Sequence, residues 1–272
     1  MESEASMSLM DHAVAGMPVD SLFICDAHTH MGPYFNFLVR EEGSPAAMVR
    51  MMDRLGIDAS IVSPHLAIVG DYRMGNQHVY EAAEQFPGRI IPFVVVNPNY
   101  PRAEVEAEVA HWHEHGGIVA FTFHSSLHGT DCLNEGYAPA YEYANEHSLA
   151  ILSHAWNGEG GAIKVVGKLA ERYPNVQFVN AHSASGWPVI EASIALAESC
   201  DRVWLDLTGS RLVYRGVERM VARVGAHRIL WGTDSPFIDP RPGLGRLLCA
   251  ELSDDDKRSI LGLNAKELYR LT

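Results

Sequence analysis

The run Leu22-Phe23-Ile24-Cys25-Asp26-Ala27-His28-Thr29-His30 begins apolar and ends with polar side chains at every second position. A short apolar run of this kind suits a strand buried on both faces. Residues two apart on a strand share a face, so Asp26, His28 and His30 should point the same way. The pattern recurs along the chain. Runs 59–65, 90–98, 117–124, 149–155, 176–183, 203–209 and 228–236 are similar, and several close on a polar residue: His124, His154, His182 and Asp234. Between most of them, stretches 46–55, 77–86, 102–115, 139–147, 162–173 and 188–198 carry apolar residues at three- and four-residue spacing, the period of a helix with one buried face. Gly56, Gly88, Gly116 and Gly225 stop helices just before strands, and Pro45, Pro101, Pro139 and Pro188 stand where helices start. Eight strands alternate with helices, no low-complexity linker interrupts them, and no GxGxxG follows a strand. This predicts a closed (β/α)8 TIM barrel in one α/β domain over 21–272, with an N-terminal arm over 1–20 and a closing helix over 254–271.

Composition narrows the function classes. Of 272 residues, 47% are hydrophobic, enough to bury a real core, so disorder is excluded. No apolar run approaches the roughly 20 residues of a membrane helix. Charges sum to 21 − 34 = −13 with histidine neutral, and without a basic cluster the chain is a poor partner for nucleic acid. The first twenty residues mix Glu2, Glu4, Asp11 and His12 with methionines and lack an apolar signal core, so a cytoplasmic location is expected. Cys25, Cys132, Cys200 and Cys249 lie far apart and form no CxxC pair, which argues against a disulfide framework or zinc knuckle. The 14 histidines stand out, since protonating all of them would move the charge from −13 to +1.

In a closed barrel the C-terminal strand ends meet in one rim, where such folds place their chemistry. Any one strand-end histidine reads as a hydrogen-bonding rim residue. Four histidines and an aspartate converging from different strands are another matter. Three imidazoles and a carboxylate make a shell suited to Zn2+ or a similar divalent ion, with a position left open. The cluster His111-Trp112-His113-Glu114-His115 is denser, but it ends a helix that leads into strand four. It therefore belongs to the opposite face of the barrel and reads as a solvated helix end, where the dipole favours histidine. Asp254-Asp255-Asp256 is likewise a helix N-terminus, capped by Ser253.

The stretch Asp26-x-His28-x-His30, the histidine after strand five, Asn180-Ala181-His182 and Trp231-Gly232-Thr233-Asp234-Ser235-Pro236 together resemble the amidohydrolase superfamily. More narrowly they resemble its amidohydrolase-related (type 2) family of metal-dependent hydrolases and decarboxylases. Gly75-Asn76, Phe86-Pro87-Gly88-Arg89 and Asn264-Ala265 share the spacing, so the likeness runs from residue 22 to 272. The resemblance implies that His28, His30, His154 and Asp234 hold a catalytic metal, that His182 is an acid or base beside it, and that Asp26 supports the ligands. Many hydrolases of the family carry a lysine after strand four, sometimes carboxylated to bridge two metals. Here Thr122 takes that position, so one ion is implied: Zn2+, with Mn2+ or Fe2+ as alternatives. His124 matches the family's histidine and, with His128, would contact substrate. Ala155-Trp156 replaces a glycine, making the wall bulkier.

The resemblance implies first a hydrolase that cleaves an amide, ester or lactone with metal-activated water. Asp234 would take the water's proton and His182 would steady the oxyanion. Arg211 and Tyr214 would grip a substrate carboxylate; the plain alternative for Arg211 is an exposed cation at a helix start. Two rival readings remain: a non-oxidative decarboxylase of the aminocarboxymuconate-semialdehyde decarboxylase type, and a metal-free lactonase of the pyrone-dicarboxylate type. A barrel that merely binds a ligand would be expected to have lost one of these donors, and all are present. Trp156, Trp187 and Tyr34 hint at a flat, small-molecule acid, and a helix-clad barrel offers faces for a homodimer.

Overall fold

Among the described residues, runs of Val, Ile, Phe and Ala with few charges form eight parallel strands. The computed structural model describes residues 7–17, 22–154, 162–209, 211 and 213–272. The strands are β1 (Cys25–Met31), β2 (Ala59–Pro64), β3 (Ile90–Pro92, resumed at Val94–Val95), β4 (Ala120–Phe123), β5 (Ala150–Ser153), β6 (Gln177–Asn180), β7 (Val203–Asp206) and β8 (Ile229–Leu230). Neighbours in sequence pair in parallel, and the amide of Phe93 donates to Val62 C=O at 3.0 Å where β3 is interrupted. The ring closes between first and last strands: Ala27 N donates to Trp231 C=O at 2.9 Å and His30 N to Ser235 C=O at 2.8 Å. This is the (β/α)8 barrel.

Two details differ from the expected pattern. The ladders stop early, so His124, His154, His182 and Asp234 lie just past the strands rather than on them. Freed from the alternation, these side chains can turn inward over the barrel mouth. The β1–β2 register also slips by one residue between Asp26 and Thr29, so strict alternation does not run from Asp26 through His30.

The outer layer consists of α2 (Pro45–Leu55), α3 (His65–Val69), α4 (Tyr72–Gln85), α5 (Arg102–His115), α6 (Ala138–His147), α7 (Ala162–Arg172), α8 (Trp187–Ser199), α9 (Gly216–Val224) and α10 (Pro240–Leu248). The helix expected over 77–86 starts five residues earlier, where the Asp71 carboxylate accepts from the amides of Arg73 and Met74. The arm contains α1 (Leu9–Ala15), which lies against α10. Its buried Leu9 donates its amide to Asp254 Oδ2 at 3.0 Å. The expected closing helix is instead α11 (Asp254–Arg258), a wide turn over Ser259–Leu263 and α12 (Asn264–Leu268). The widening frees Ile260 C=O to accept from Trp231 N at 3.0 Å, which ties the C-terminal segment to the end of β8.

Apolar side chains fill two layers. Cys25, Ala27, Ile61, Phe93, Leu152 and Val179 belong to an inner cluster within the barrel. Val94, Phe121, Ile151 and Phe178, from alternate strand positions, join the helix faces in an outer one. Burying each large side chain contributes about 1.5–3 kcal/mol, so the strands are held rigidly beneath the loops that follow them. Among the described residues, no helix is long and apolar enough to cross a membrane.

Candidate metal centre

Three imidazoles and a carboxylate converge above the inner core. His28 Nε2 lies 3.1 Å from His154 Nε2, and Asp234 Oδ1 lies 3.0 Å from His30 Nε2 and 3.5 Å from His28 Nε2. His182 Nε2 is 3.9 Å from Asp234 Oδ2. One nitrogen or oxygen from each of His28, His30 and His154, and from each of His28, His182 and Asp234, falls within 4.8 Å of its companions.

The opposite edge of each ring explains the convergence. His28 Nδ1 donates to Asp206 Oδ2 at 2.6 Å, His30 Nδ1 to Ser63 C=O at 3.1 Å, and His154 Nδ1 to Phe123 C=O at 3.4 Å. With the proton on Nδ1, every Nε2 carries a lone pair, and these lone pairs face one another and a carboxylate. Such an arrangement is repulsive by itself and fits a cation at its centre. The chemistry of the donors, nitrogen with one carboxylate oxygen, suits a first-row divalent ion.

Titration differs between the rings: burial would lower His28, but Asp206 and the other nearby carboxylates outweigh it and raise it. Burial, with four neighbouring imidazoles adding to it, holds His154 well below the usual histidine range, so its ring is neutral. Burial alone would raise the Asp234 carboxyl, but the imidazoles around it outweigh burial and keep the group ionised. The backbone is strained at two of these residues: His182 has φ 57° and Asp234 has φ 67°. Side chains other than glycine rarely adopt this region, and the closed barrel holds Asp234 there through its amide, which donates to His28 C=O at 2.9 Å.

Asp26 stands behind His28, whose amide lies 3.4 Å from its Oδ1. Its carboxyl accepts from Thr233 Oγ1 at 2.5 Å, and burial pushes it up to about 7. Thr122, at the family's lysine position, is fully buried and lies 2.5 Å from the Ser63 hydroxyl. It offers no group that could bridge two ions.

Asp206 was not singled out from sequence. It is fully buried, and its other oxygen accepts from Thr208 N at 2.9 Å and Thr208 Oγ1 at 2.5 Å. Its one signal was a carboxylate near the end of the seventh apolar run, in line with the polar ends of the others. His65 was also passed over, although it closes the second run. It is 3% exposed, packs against Tyr34 at 3.9 Å between ring centres, and is held down to about 4 by burial.

The walls are aromatic. Phe237 stacks on His30 at 5.1 Å and on Phe37 at 5.4 Å, with Tyr34 at 5.2 Å. His124 stacks on His154 at 4.2 Å. Burial and nearby imidazoles hold His124 down to about 3. His128 is engaged elsewhere: Nε2 donates to Ile68 C=O at 3.1 Å and Nδ1 accepts from Tyr137 OH at 2.8 Å, so both nitrogens are committed to the protein. Arg211 and Tyr214 are exposed, Tyr214 at 82%, and Trp187 at the start of α8 is 45% exposed. Trp156 lies outside the described residues.

A sequence model of the amidohydrolase family matches residues 25–271. A search of the curated proteins found no match. Among solved structures, a 2,6-dihydroxybenzoate decarboxylase in complex with 2,6-dihydroxybenzoate superposes with a TM-score of 0.73 at 14% identity, covering 92% of this chain and 100% of that one. The 5-carboxyvanillate decarboxylase of Sphingomonas paucimobilis gives 0.70 at 15%, covering 93% and 100%. A dihydroxybenzoic acid decarboxylase from Polaromonas sp. JS666, with bound manganese and the inhibitor 2-nitroresorcinol, gives 0.67 at 15%, covering 92% and 97%. At these identities the likeness is one of fold.

Proposed function

This chain belongs to the amidohydrolase family, and from that premise we propose that it is a metal-dependent decarboxylase that removes CO2 without oxidation from a flat aromatic or unsaturated carboxylic acid. The observation that carries this reading is the set of anchored imidazoles facing Asp234 beneath a wall formed by Phe237, Tyr34 and Phe37. The printed activities and ligands of the neighbouring structures support it: the proteins are decarboxylases, and one holds manganese with a nitroresorcinol.

His28, His30, His154 and Asp234 would hold one divalent ion, Zn2+ or Mn2+. When bound, the ion supplies a Lewis acid that draws electron density from a substrate oxygen. The chain does the rest. Phe237 and Tyr34, 5.2 Å apart, form an apolar wall against which a planar substrate would lie with water excluded. As the bond to the carboxylate breaks, CO2 departs and the bonding electron pair stays on the ring carbon, which takes a proton. His182 stands beside Asp234 to deliver that proton, and His124 lines the same side.

The test is direct. Supplied with 2,6-dihydroxybenzoate or 5-carboxyvanillate and Mn2+ or Zn2+, the protein should release one CO2 per substrate consumed, and the product should carry a solvent deuteron on the vacated carbon. Hydrolysis is the second reading, favoured by the ionised Asp234 as a base for water. Uptake of 18O from labelled water into products of an ester, amide or lactone, with no CO2 from any acid tried, would overturn the decarboxylase proposal.

A further inference from the structure

The histidines of α5 are not part of the metal centre, yet their arrangement has a chemistry of its own. His111 and His115 are four residues apart and therefore share one helix face. Their rings lie side by side, 4.4 Å between centres and 22° from parallel, and both are exposed. His115 Nδ1 donates to His111 C=O at 2.8 Å. That bond fixes the proton on Nδ1 and leaves the Nε2 lone pair free, the same device that orients the ligands of the metal centre.

The surroundings favour a cation. The pair lies toward the C-terminal end of α5, where the helix dipole is negative. Glu81 and Glu84 of α4 line the same cavity of about 720 Å3. The two helices are locked together beside it: Tyr80 stacks on Trp112 at 3.8 Å, and Gly116 sits so close to Tyr80 that a Cβ there would come within 2.4 Å of the ring. The cavity is also bounded by Ala59, Val119 and Leu271, which places it at the end of the barrel opposite His28 and His30.

We propose that His111 and His115, with a carboxylate of Glu81 or Glu84, form a second, separate site for a divalent transition-metal ion of the imidazole-seeking kind, Zn2+, Cu2+ or Ni2+. Two histidines four apart on a helix can chelate one ion. Both rings are exposed, and His111 can turn about its side-chain torsions to bring a nitrogen beside His115 Nε2 on a shared ion. Bound there, the ion would clamp α4 to α5. The proposal does not depend on the catalytic reading.

The experiment uses the full chain stripped with chelator, then titrated with Zn2+ by calorimetry and with Cu2+ by electron paramagnetic resonance. Wild type should take up one more equivalent of each ion than the H111A/H115A variant. That variant should keep the remaining binding and the metal-free melting temperature of wild type. H113A/H147A, which removes the other neighbouring imidazoles, should match wild type, and His115→Gln alone should already weaken the extra equivalent at least tenfold. Equal stoichiometry in wild type and H111A/H115A, or loss of the extra equivalent in H113A/H147A instead, would overturn the assignment.

Discussion

Asp206 shows how much one buried carboxylate can decide. It holds the proton of His28 on Nδ1 and so aims the Nε2 lone pair inward. Asp206→Asn keeps the shape but removes the anion. The expected result is a metal affinity lowered about 10–100-fold with the fold retained, read by competition with a chromophoric chelator. Gly232 matters for a steric reason. A Cβ there would lie 2.3 Å from Thr208 Oγ1, 2.5 Å from Asp206 Oδ1 and 2.8 Å from His28 Cβ. Gly232→Ala should therefore destabilise the fold by about 1–3 kcal/mol and release the ion as well, whereas wild-type stability and binding would show that the loop yields freely. Both residues were open to view in the sequence, one as a carboxylate near a strand end and the other inside a quoted motif. Their roles were not, because Asp206 meets His28 across 178 positions of chain.

Among the elements, α4 and α5 carry the clearest tests. Asp71 caps α4 through two amides, so Asp71→Ala should cost about 1 kcal/mol in chemical denaturation and leave metal content unchanged. Trp112 is 4% exposed, stacks on Tyr80 and donates Nε1 to the buried Glu108 at 2.6 Å. Trp112→Ala should cost about 3–5 kcal/mol, since it opens a cavity and strips a buried carboxylate of a donor. The helical period of 102–115 announced α5 to the residue. Helix α9 carries Val217, Met220, Val221 and Val224 at the same three- and four-residue spacing, although that stretch was not singled out from sequence, whereas α3 follows β2 directly and its five residues are too few to show a period.

For the molecule as a whole, the proposed metal centre would also be a structural tie, because its donors would come from the first, fifth and eighth strand ends. Removing the ion with a chelator should lower the melting temperature, and restoring it at about 100 times its dissociation constant should return about 2.7 kcal/mol. Acid should act in the same direction. Protons would compete for the imidazole lone pairs, and metal retention should fall as pH drops, first through His28, where Asp206 and the nearby carboxylates outweigh burial and raise the ring above the usual histidine range. Equal melting curves with and without metal at neutral pH would show that the barrel closes without help from its centre.

The sequence by itself determined the barrel and pointed to most of the polar side chains that meet above it. Burial on two faces demands unbroken apolar runs, and polar residues at the ends of such runs are visible without coordinates. That reasoning reached His28, His30, His154, His182 and Asp234. Only the tertiary structure decided the rest. Closure brings Asp206 beneath His28, lays Phe237 over His30, turns His128 into a partner of Tyr137 and Ile68, and leaves Arg211 and Tyr214 exposed. The physical reason is that strands and helices impose a period on their residues, which one-dimensional reading recovers. Contacts between loops depend on distances that exist only after the first strand has met the last.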